Sequence, residues 1–145
     1  MRVVIAGAGD AGYRVARDLI TRGHGVSLID SDPVAVKRAQ TLDAQVIQGH
    51  AASPKLLAEQ SGLAEADLFI GVTGDDAVNL LGCRLATVMG CRTIARLNTP
   101  ALMEWPAEPD PQEVYGIDAY ISPDELAMHR IWQILSRPAL TRLEH

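Results

Sequence analysis

Short apolar runs recur along the chain and alternate with segments of helical composition. An apolar run of a few residues followed by a helix-length segment is typical of a βαβ crossover unit, in which neighbouring strands run parallel. We therefore predict an α/β fold of the Rossmann-like, doubly wound type, with a parallel six-stranded sheet and helices on both faces. The predicted strands lie at 3–6, 26–29, 45–47, 68–72, 93–97 and 119–121.

Helix starts are marked by a capping residue followed by proline. Asp32-Pro33, Ser53-Pro54 and Ser122-Pro123 show this pair, in which proline takes the first helical position. The last pair continues to Glu125, which completes a capping box. We expect a helix over about 124–136 whose apolar stripe either closes the sheet or contacts a neighbouring molecule, the stripe being Met128, Ile131, Trp132 and Leu135.

A further helix, over 77–90, is apolar around most of its axis. Only Asn79, Arg84 and Thr87 are polar in this segment, whereas a helix that covers a sheet ordinarily keeps a polar side for solvent. We expect a second covering surface, supplied by another subunit. The alternative is a helix that is merely rich in small residues. The segment 103–116, with its prolines and acids, is expected to be a solvated excursion from the fold.

Composition narrows the class of protein. The 145 residues suit one domain, and 48% of them are hydrophobic but only 4% aromatic, which fits buried parallel strands. A net charge of −5 without a Lys/Arg block argues against a nucleic-acid partner. No signal peptide follows Met1, and no apolar stretch approaches the roughly 18 residues of a membrane span, so we expect a cytoplasmic protein without direct membrane insertion. Cys83 and Cys91 are interpreted as reduced, buried thiols, and no metal site is expected.

The first predicted strand ends in a glycine-rich turn, VVIAGAGDAG at 3–12, in which Gly7, Gly9 and Gly12 form G-x-G-x-x-G. Between a strand and a helix this pattern indicates a dinucleotide site. The first glycine permits the turn, the second lets a phosphate approach the backbone, and the third lets helix and strand pack closely. The alternative is a turn that binds nothing. Asp10 lies inside the turn and places an acid where phosphates should approach.

The second predicted strand ends at Asp30, 18 residues after Gly12. An acid at this place accepts hydrogen bonds from both hydroxyls of an adenosine ribose. It would also repel a 2′-phosphate, and neither Ser31 nor Asp32 supplies a cation to offset that repulsion. We expect NAD(H), or an adenine nucleotide such as ATP, ADP or AMP, to bind better than NADP. The alternative for Asp30 is a helix-capping or turn role.

Two further stretches follow strands three and four, at the edge where open α/β sheets bind ligands. Gly49 and His50 are candidates to border the adenine, and Thr73 and Gly74 to line the side facing the second nucleoside. His50 could equally be a surface histidine. Asp75-Asp76 is as well suited to capping the next helix as to contacting a ligand.

Known catalytic motifs are absent from the sequence. Tyr13, Tyr115 and Tyr120 lack a lysine four residues on, which excludes a Tyr-x-x-x-Lys reductase site, and neither G-x-S-x-G nor H-E-x-x-H occurs. The chain also leaves no room for a substrate domain. A nucleotide site without catalytic residues indicates a sensor instead of an enzyme.

Five motifs together indicate a family, namely the glycine turn, GH-x-x-S-P at 49–54, VT-x-x-D-x-x-N at 72–79, ARL-N-x-P at 95–100 and GID-x-x-ISP at 116–123. On these motifs the chain resembles the TrkA-N or RCK N-terminal domain of Trk/Ktr potassium uptake systems and of some potassium channels, over about residues 1–136. The resemblance implies a peripheral cytoplasmic subunit that binds NAD(H) or ATP/ADP and gates a membrane potassium transporter by changing shape. It also implies dimers or higher homo-oligomers packed through the helix at 77–90.

The motifs and the resemblance together define a nucleotide site and the limits of the domain. In the family the final helix crosses to a C-terminal lobe, and here residues 137–145 would be a short tail. Leu143-Glu144-His145 resembles the start of a vector-encoded polyhistidine tag, and we hypothesise that a lobe was cut away. The candidate cofactor-binding residues are Gly7, Gly9, Asp10, Ala11, Gly12, Asp30, Ser31, Gly49, His50, Thr73, Gly74 and Arg96.

Two hypotheses from different classes follow. The first is a nucleotide-sensing regulatory domain of a potassium transport system, with no catalysis of its own. The second is the cofactor-binding half of an NAD-dependent dehydrogenase, which turnover by the full-length protein would favour. A methyltransferase that uses S-adenosylmethionine is disfavoured by the order of the glycines.

Asp10 has two interpretations. It is either part of the helix cap, neutralised by Arg14 one turn later, or a selector among nucleotides. Some triphosphate-binding members of the family carry arginine at this loop position. An acid in its place predicts a preference for NAD(H) over ATP, which Asp10→Arg should narrow or reverse.

Overall fold

Six strands form one parallel sheet in a computed structural model that describes residues 1–125 and 128–136. Their order in the sheet is β3-β2-β1-β4-β5-β6. Strands β1 to β3 extend the sheet in one direction and β4 to β6 extend it in the other, so the strand order reverses between the neighbours β1 and β4. The predicted doubly wound, all-parallel sheet is confirmed. Its strands are β1 Arg2–Ala6, β2 Gly25–Asp30, β3 Gln45–Gln48, β4 Leu68–Gly71, β5 Arg92–Arg96 and β6 Ala119–Ile121.

Helices and short helical turns connect the strands. Asp32 and Ser53 accept hydrogen bonds from backbone N–H groups at the starts of their helices, as the capping signals predict. Glu125 accepts from the N–H and hydroxyl of Ser122. The helices are α1 Asp10–Thr21, α2 Pro33–Ala39, α3 Pro54–Glu59, α4 Asp76–Val88, α5 Pro111–Tyr115 and α6 Met128–Leu135, with 3₁₀ turns at Leu63–Glu65, Pro100–Met103 and Pro123–Glu125.

One short helix was not predicted. The segment 103–116 is mostly exposed, as expected, yet it contains α5. Asp110 accepts a hydrogen bond from the N–H of Gln112, and Pro111 takes the first helical position. This is the same signal that marks α2 and α3. The capping pair Asp110-Pro111 was overlooked because the prolines and acids of the segment were interpreted as loop residues.

Side chains alternate between two apolar layers on either face of the sheet. In β1, Val3 and Ile5 point to the layer covered by α1, α2 and α6, while Val4 and Ala6 point to the layer covered by α3 and α4. Met128 and Ile131 of α6 are buried in the first layer, and Trp132 and Leu135 pack at its edge. The final helix therefore closes the sheet. The predicted tail 137–145, with Leu143-Glu144-His145, lies outside the described residues.

Helix α4 is apolar on both sides but buried on one. Leu80 and Cys83 are buried against the sheet, whereas the side chains of Leu81 and Val88 are 51% and 71% exposed. Nothing in residues 1–125 or 128–136 covers this outer face. Cys83 and Cys91 are both buried and unbridged, as predicted, and burial raises the pKa of the Cys83 thiol.

Candidate functional site

A cavity of about 730 Å³ opens at the carboxyl ends of β1 and β4. This is the point where the strand order reverses, the place at which open α/β sheets bind ligands. Gly12 and Gly49 are the two predicted site residues that do not line it. The other ten do, namely Gly7, Gly9, Asp10, Ala11, Asp30, Ser31, His50, Thr73, Gly74 and Arg96.

Two glycines of the turn are required by packing. Gly7 has φ +110°, and a Cβ on it would lie 2.9 Å from the carbonyl oxygen of Val72. A Cβ on Gly12 would lie 1.8 Å from the carbonyl oxygen of Gly7. Helix α1 therefore crosses directly over the end of β1, and both residues shape the turn.

Gly9 differs from the other two because its surroundings are empty. No protein atom lies within 4 Å of the position that a Cβ on Gly9 would take, and the residue lines the cavity. Gly9 is the N-cap of α1 but supplies no side-chain cap. The N–H groups of the first turn have no intrahelical acceptor, so the start of α1 offers donors to an anion.

Asp30 holds the turn together from the end of β2. One carboxylate oxygen accepts from the N–H of Ala8 at 2.8 Å, and the other accepts from the N–H of Asp32 at 2.9 Å. The turn role that sequence reasoning left as an alternative is therefore real. It does not exclude ribose binding, because each carboxylate oxygen can accept a second hydrogen bond and Asp30 lines the cavity.

Asp10 pairs with Arg38, not with Arg14 as the helix spacing predicted. The Arg38 Nη1 atom lies 2.5 Å from Asp10 Oδ1, and the guanidinium stacks 4.3 Å from the centre of the Tyr13 ring. Arg38 reaches Asp10 from the last turn of α2, and this aromatic contact from α1 steadies it. Arg14 instead lines the cavity.

Gly49 and His50 have different roles. A Cβ on Gly49 would lie 2.3 Å from Leu56 Cδ1, so this glycine lets α3 pack against the end of β3. His50 lines the cavity, and its Nδ1 accepts from the N–H of Ala52 at 3.1 Å. In a neutral imidazole the Nε2 atom then carries the proton and is the donor.

Asn79 ends the VT-x-x-D-x-x-N motif but was not among the predicted site residues. It is fully buried on α4, where its Oδ1 accepts from the N–H and hydroxyl of Thr73, at 2.9 and 2.7 Å. Its Nδ2 donates to the carbonyls of Thr73 and Arg96, at 3.1 and 2.9 Å. This one side chain joins the ends of β4 and β5. A polar residue on the buried side of an apolar helix was the available signal.

The two acids that follow β4 both make structural contacts, and Asp75 also lines the cavity. Asp75 caps α4 by accepting from the N–H groups of Ala77 and Val78. Asp76 accepts from the N–H groups of Asn98 and Thr99, at distances of 2.9 to 3.0 Å. The contacts of Asp76 link two motifs, because the acid of VT-x-x-D-x-x-N holds the backbone of the ARL-N-x-P loop.

Arg96, at the end of β5, brings a positive charge into the cavity wall. Its Nη2 donates to the carbonyls of Val72 and Thr73, both at 3.0 Å. Burial lowers the pKa of the guanidinium below its ordinary value, and the field of Asp76 acts in the opposite direction. An arginine nevertheless stays charged at neutral pH.

The described residues also bear on metal binding and on membrane insertion. Within residues 1–125 and 128–136, His, Cys, Asp and Glu side chains form no group of three or more that could hold a metal ion. In the same residues, no helix has the length and apolar character needed to cross a bilayer.

The sequence of this chain matches one protein family. The family model described as the TrkA-N domain matches residues 3–123. The Trk system potassium uptake protein TrkA homolog 2 of Methanosarcina mazei is 33% identical over 96% of this chain and 32% of its own length. A TrkA homolog of Archaeoglobus fulgidus is 38% identical over 85% of this chain and 28% of its own length. The chain thus spans about a third of the length of these relatives.

A solved structure shares the fold. The Kef C-terminal domain of Shewanella denitrificans in its AMP-bound form superposes with a TM-score of 0.68 at 22% identity, over 96% of this chain and 84% of that one. The glycine turn, the cavity at the strand-order reversal and the matched family model agree. The chain belongs to the TrkA-N domain family.

Proposed function

We propose that this chain is the nucleotide-binding regulatory domain of a potassium uptake system. It would act in the cytoplasm, at the inner face of the membrane, through a transporter subunit that it gates by changing shape. The observation that carries the proposal is the cavity at the carboxyl ends of β1 and β4, which combines open N–H groups at α1 with the carboxylate of Asp30. The relatives' name, potassium uptake protein TrkA, supplies the physiological context.

The proposed ligand is NAD(H), with ATP, ADP and AMP as weaker candidates. Asp30 would accept the ribose hydroxyls, and the start of α1 would take the phosphate next to that ribose. His50 would face the adenine, while Thr73 and Gly74 would border the second nucleoside. NADP is disfavoured because Asp30 would repel its 2′-phosphate. The AMP-bound state of the Kef domain supports an adenine nucleotide.

Calorimetric titration against NAD, NADH, ATP, ADP, AMP and NADP tests the ligand. We expect NAD or NADH to bind most tightly and NADP most weakly. Asp30→Ser should narrow the gap between NAD and NADP, whereas Asp18→Ser on the exposed side of α1 should leave it unchanged. Tighter binding of NADP than of the other five would contradict the role given to Asp30.

Regulation needs an assay on the full-length protein with its transporter. We expect the bound nucleotide to change potassium flux in reconstituted vesicles, and Gly9→Val, which blocks the start of α1, to abolish that change. Nucleotide-dependent oxidation of a small substrate, without an effect on flux, would favour the dehydrogenase hypothesis.

The proposed subunit contact is the outer face of α4. Leu81 and Val88 are exposed there, and an apolar groove of about 360 Å³ runs alongside, lined by Leu81, Leu102, Val114 and Tyr115 among others. Exposed apolar surface of this kind is typical of protein interfaces. Sedimentation should show a homodimer that Leu81→Asp dissociates. Val34→Asp, at an exposed apolar residue on α2, should leave it intact.

A further inference from the structure

Arg96 is a partly buried cation without a counter-ion in the protein. Within residues 1–125 and 128–136, no carboxylate lies within 4.0 Å of its guanidinium. Its hydrogen bonds go to two neutral carbonyls, those of Val72 and Thr73. The Nε atom is buried and has no hydrogen-bond partner. Such an arrangement is unfavourable unless something supplies the missing negative charge.

None of the described acids around the cavity forms an ion pair with Arg96. Asp76 acts on Arg96 through its field, but both of its carboxylate oxygens accept from the N–H groups of the loop after β5. Asp10 is paired with Arg38 of α2, and Asp30 accepts from the backbone N–H groups of Ala8 and Asp32. Asp75, the remaining acid of the cavity wall, accepts from the N–H groups at the start of α4. Every acid that lines the cavity or acts on Arg96 thus makes its contacts elsewhere. The space left beside Arg96 is the cavity itself.

Arg96 also lies close to the glycine turn. Its Nη2 donates to the carbonyl of Val72 at 3.0 Å, and the same carbonyl oxygen lies 2.9 Å from the position of a Cβ on Gly7. One peptide group therefore separates the guanidinium from the turn. The donors at the start of α1 are on one side of this peptide, and Arg96 is on the side of β5.

We propose that Arg96 is a second phosphate-binding group, which takes the phosphate beyond the one held at the start of α1. This inference rests on the proposed function, and it makes the site sensitive to the number of phosphates on an adenosine. Asp30 would hold the ribose, α1 the first phosphate and Arg96 the second. A diphosphate, free in ADP or bridging in NAD, satisfies both groups, whereas AMP satisfies one and adenosine neither.

The test is a ladder of ligands titrated into the purified protein at fixed ionic strength. Wild type should bind ADP more tightly than AMP, and AMP more tightly than adenosine. Arg96→Gln should weaken ADP binding about ten- to a hundredfold, the size of a lost charge-assisted hydrogen bond. It should weaken AMP less and leave adenosine unchanged. Arg17→Gln, on the exposed side of α1, is the matched control and should change none of the three.

The ladder separates binding from positioning. If Arg96→Gln weakens adenosine, AMP and ADP by one common factor, Arg96 only holds the Val72 and Thr73 carbonyls and the proposal is wrong. An unchanged ADP affinity would also overturn it. If Arg96→Gln fails to fold, Arg96→Lys replaces it. Loss of the guanidinium fork should then lower the ratio of ADP to adenosine affinity severalfold, and an unchanged ratio refutes the idea. Failure of wild type to bind NAD as well as these three ligands would instead contradict the proposed function.

Discussion

The two halves of the nucleotide cavity are built in different ways. On the β1–α1–β2 side the wall is main chain, shaped by Gly7 and Gly12 and tied by the carboxylate of Asp30. On the β4–α4–β5 side the wall depends on side chains, above all the buried Asn79 and the partly buried Arg96. The β1–α1–β2 half depends on the absence of a Cβ at Gly7 and Gly12, whereas the β4–α4–β5 half depends on the side chains of Asn79 and Arg96. Adding atoms should therefore disrupt the first half, and removing atoms should disrupt the second.

The largest effect is expected at Gly12, where the main-chain half has no space. Gly12→Ala would put a Cβ 1.8 Å from the carbonyl oxygen of Gly7, so α1 must move and the free energy of unfolding should fall by about 3 kcal/mol or more. Urea denaturation measures the change.

Gly9→Ala is the matched control within the same turn. Because nothing lies within 4 Å of the new Cβ and the residue has φ −69°, stability should stay within about 0.5 kcal/mol of wild type. Nucleotide affinity should fall, since the methyl group enters the cavity. A Gly9→Ala protein as unstable as Gly12→Ala would remove the distinction between a packing glycine and a binding one.

The second-largest loss of stability is expected at Asn79, which tests the β4–α4–β5 side of the cavity. Asn79→Ala removes the hydrogen bonds that link Thr73 to the end of β5 and leaves buried polar groups unpaired, so we expect a loss of about 2–4 kcal/mol in the free energy of unfolding. Asn98→Ala, which removes one 3.3 Å contact to Asp76 at an exposed place, should lose well under half as much. Equal losses would mean that the buried hydrogen bonds of Asn79 contribute no more to stability than the exposed contact of Asn98.

The same contrast explains what could be predicted from the sequence. Gly7, Gly9, Gly12 and Asp30 lie within one βαβ unit at spacings set by local geometry, so the motif locates them without knowledge of the fold. Asn79 contacts residues 6 and 17 positions away, on two different strand ends. Its role follows only once β4 and β5 are adjacent.

The pairing of Asp10 failed for the same reason. Arg14 lies one helical turn away and was the local choice, but Arg38 reaches Asp10 across 28 positions because α1 and α2 pack side by side. The strands and helix caps follow from short-range patterns in the sequence, and the position of the cavity follows from the strand order, so all three could be predicted. Which side chains meet across elements depended on packing.

The smallest effect on stability is expected at the ion pair between Asp10 and Arg38. Substitutions of this pair test whether the acid in the glycine turn selects among nucleotides. Side-chain exposures of 89% for Asp10 and 51% for Arg38 make the pair worth less than about 1 kcal/mol to stability. Arg38 also screens Asp10, so the bias against ATP relative to NAD should be weaker than for an unpaired acid.

Arg38→Gln should expose the charge and lower the ratio of ATP to NAD affinity about two- to fivefold, and Asp10→Arg should raise it. Both shifts in the affinity ratio should become smaller as salt rises from about 20 to about 300 mM, because this rise shortens the electrostatic screening length roughly fourfold. Calorimetry of the two variants at both salt concentrations measures the ratios. Ratios equal to wild type in both variants would show that Asp10 is a surface charge tied to α2 and that nucleotide choice lies with the β4–β5 side of the cavity.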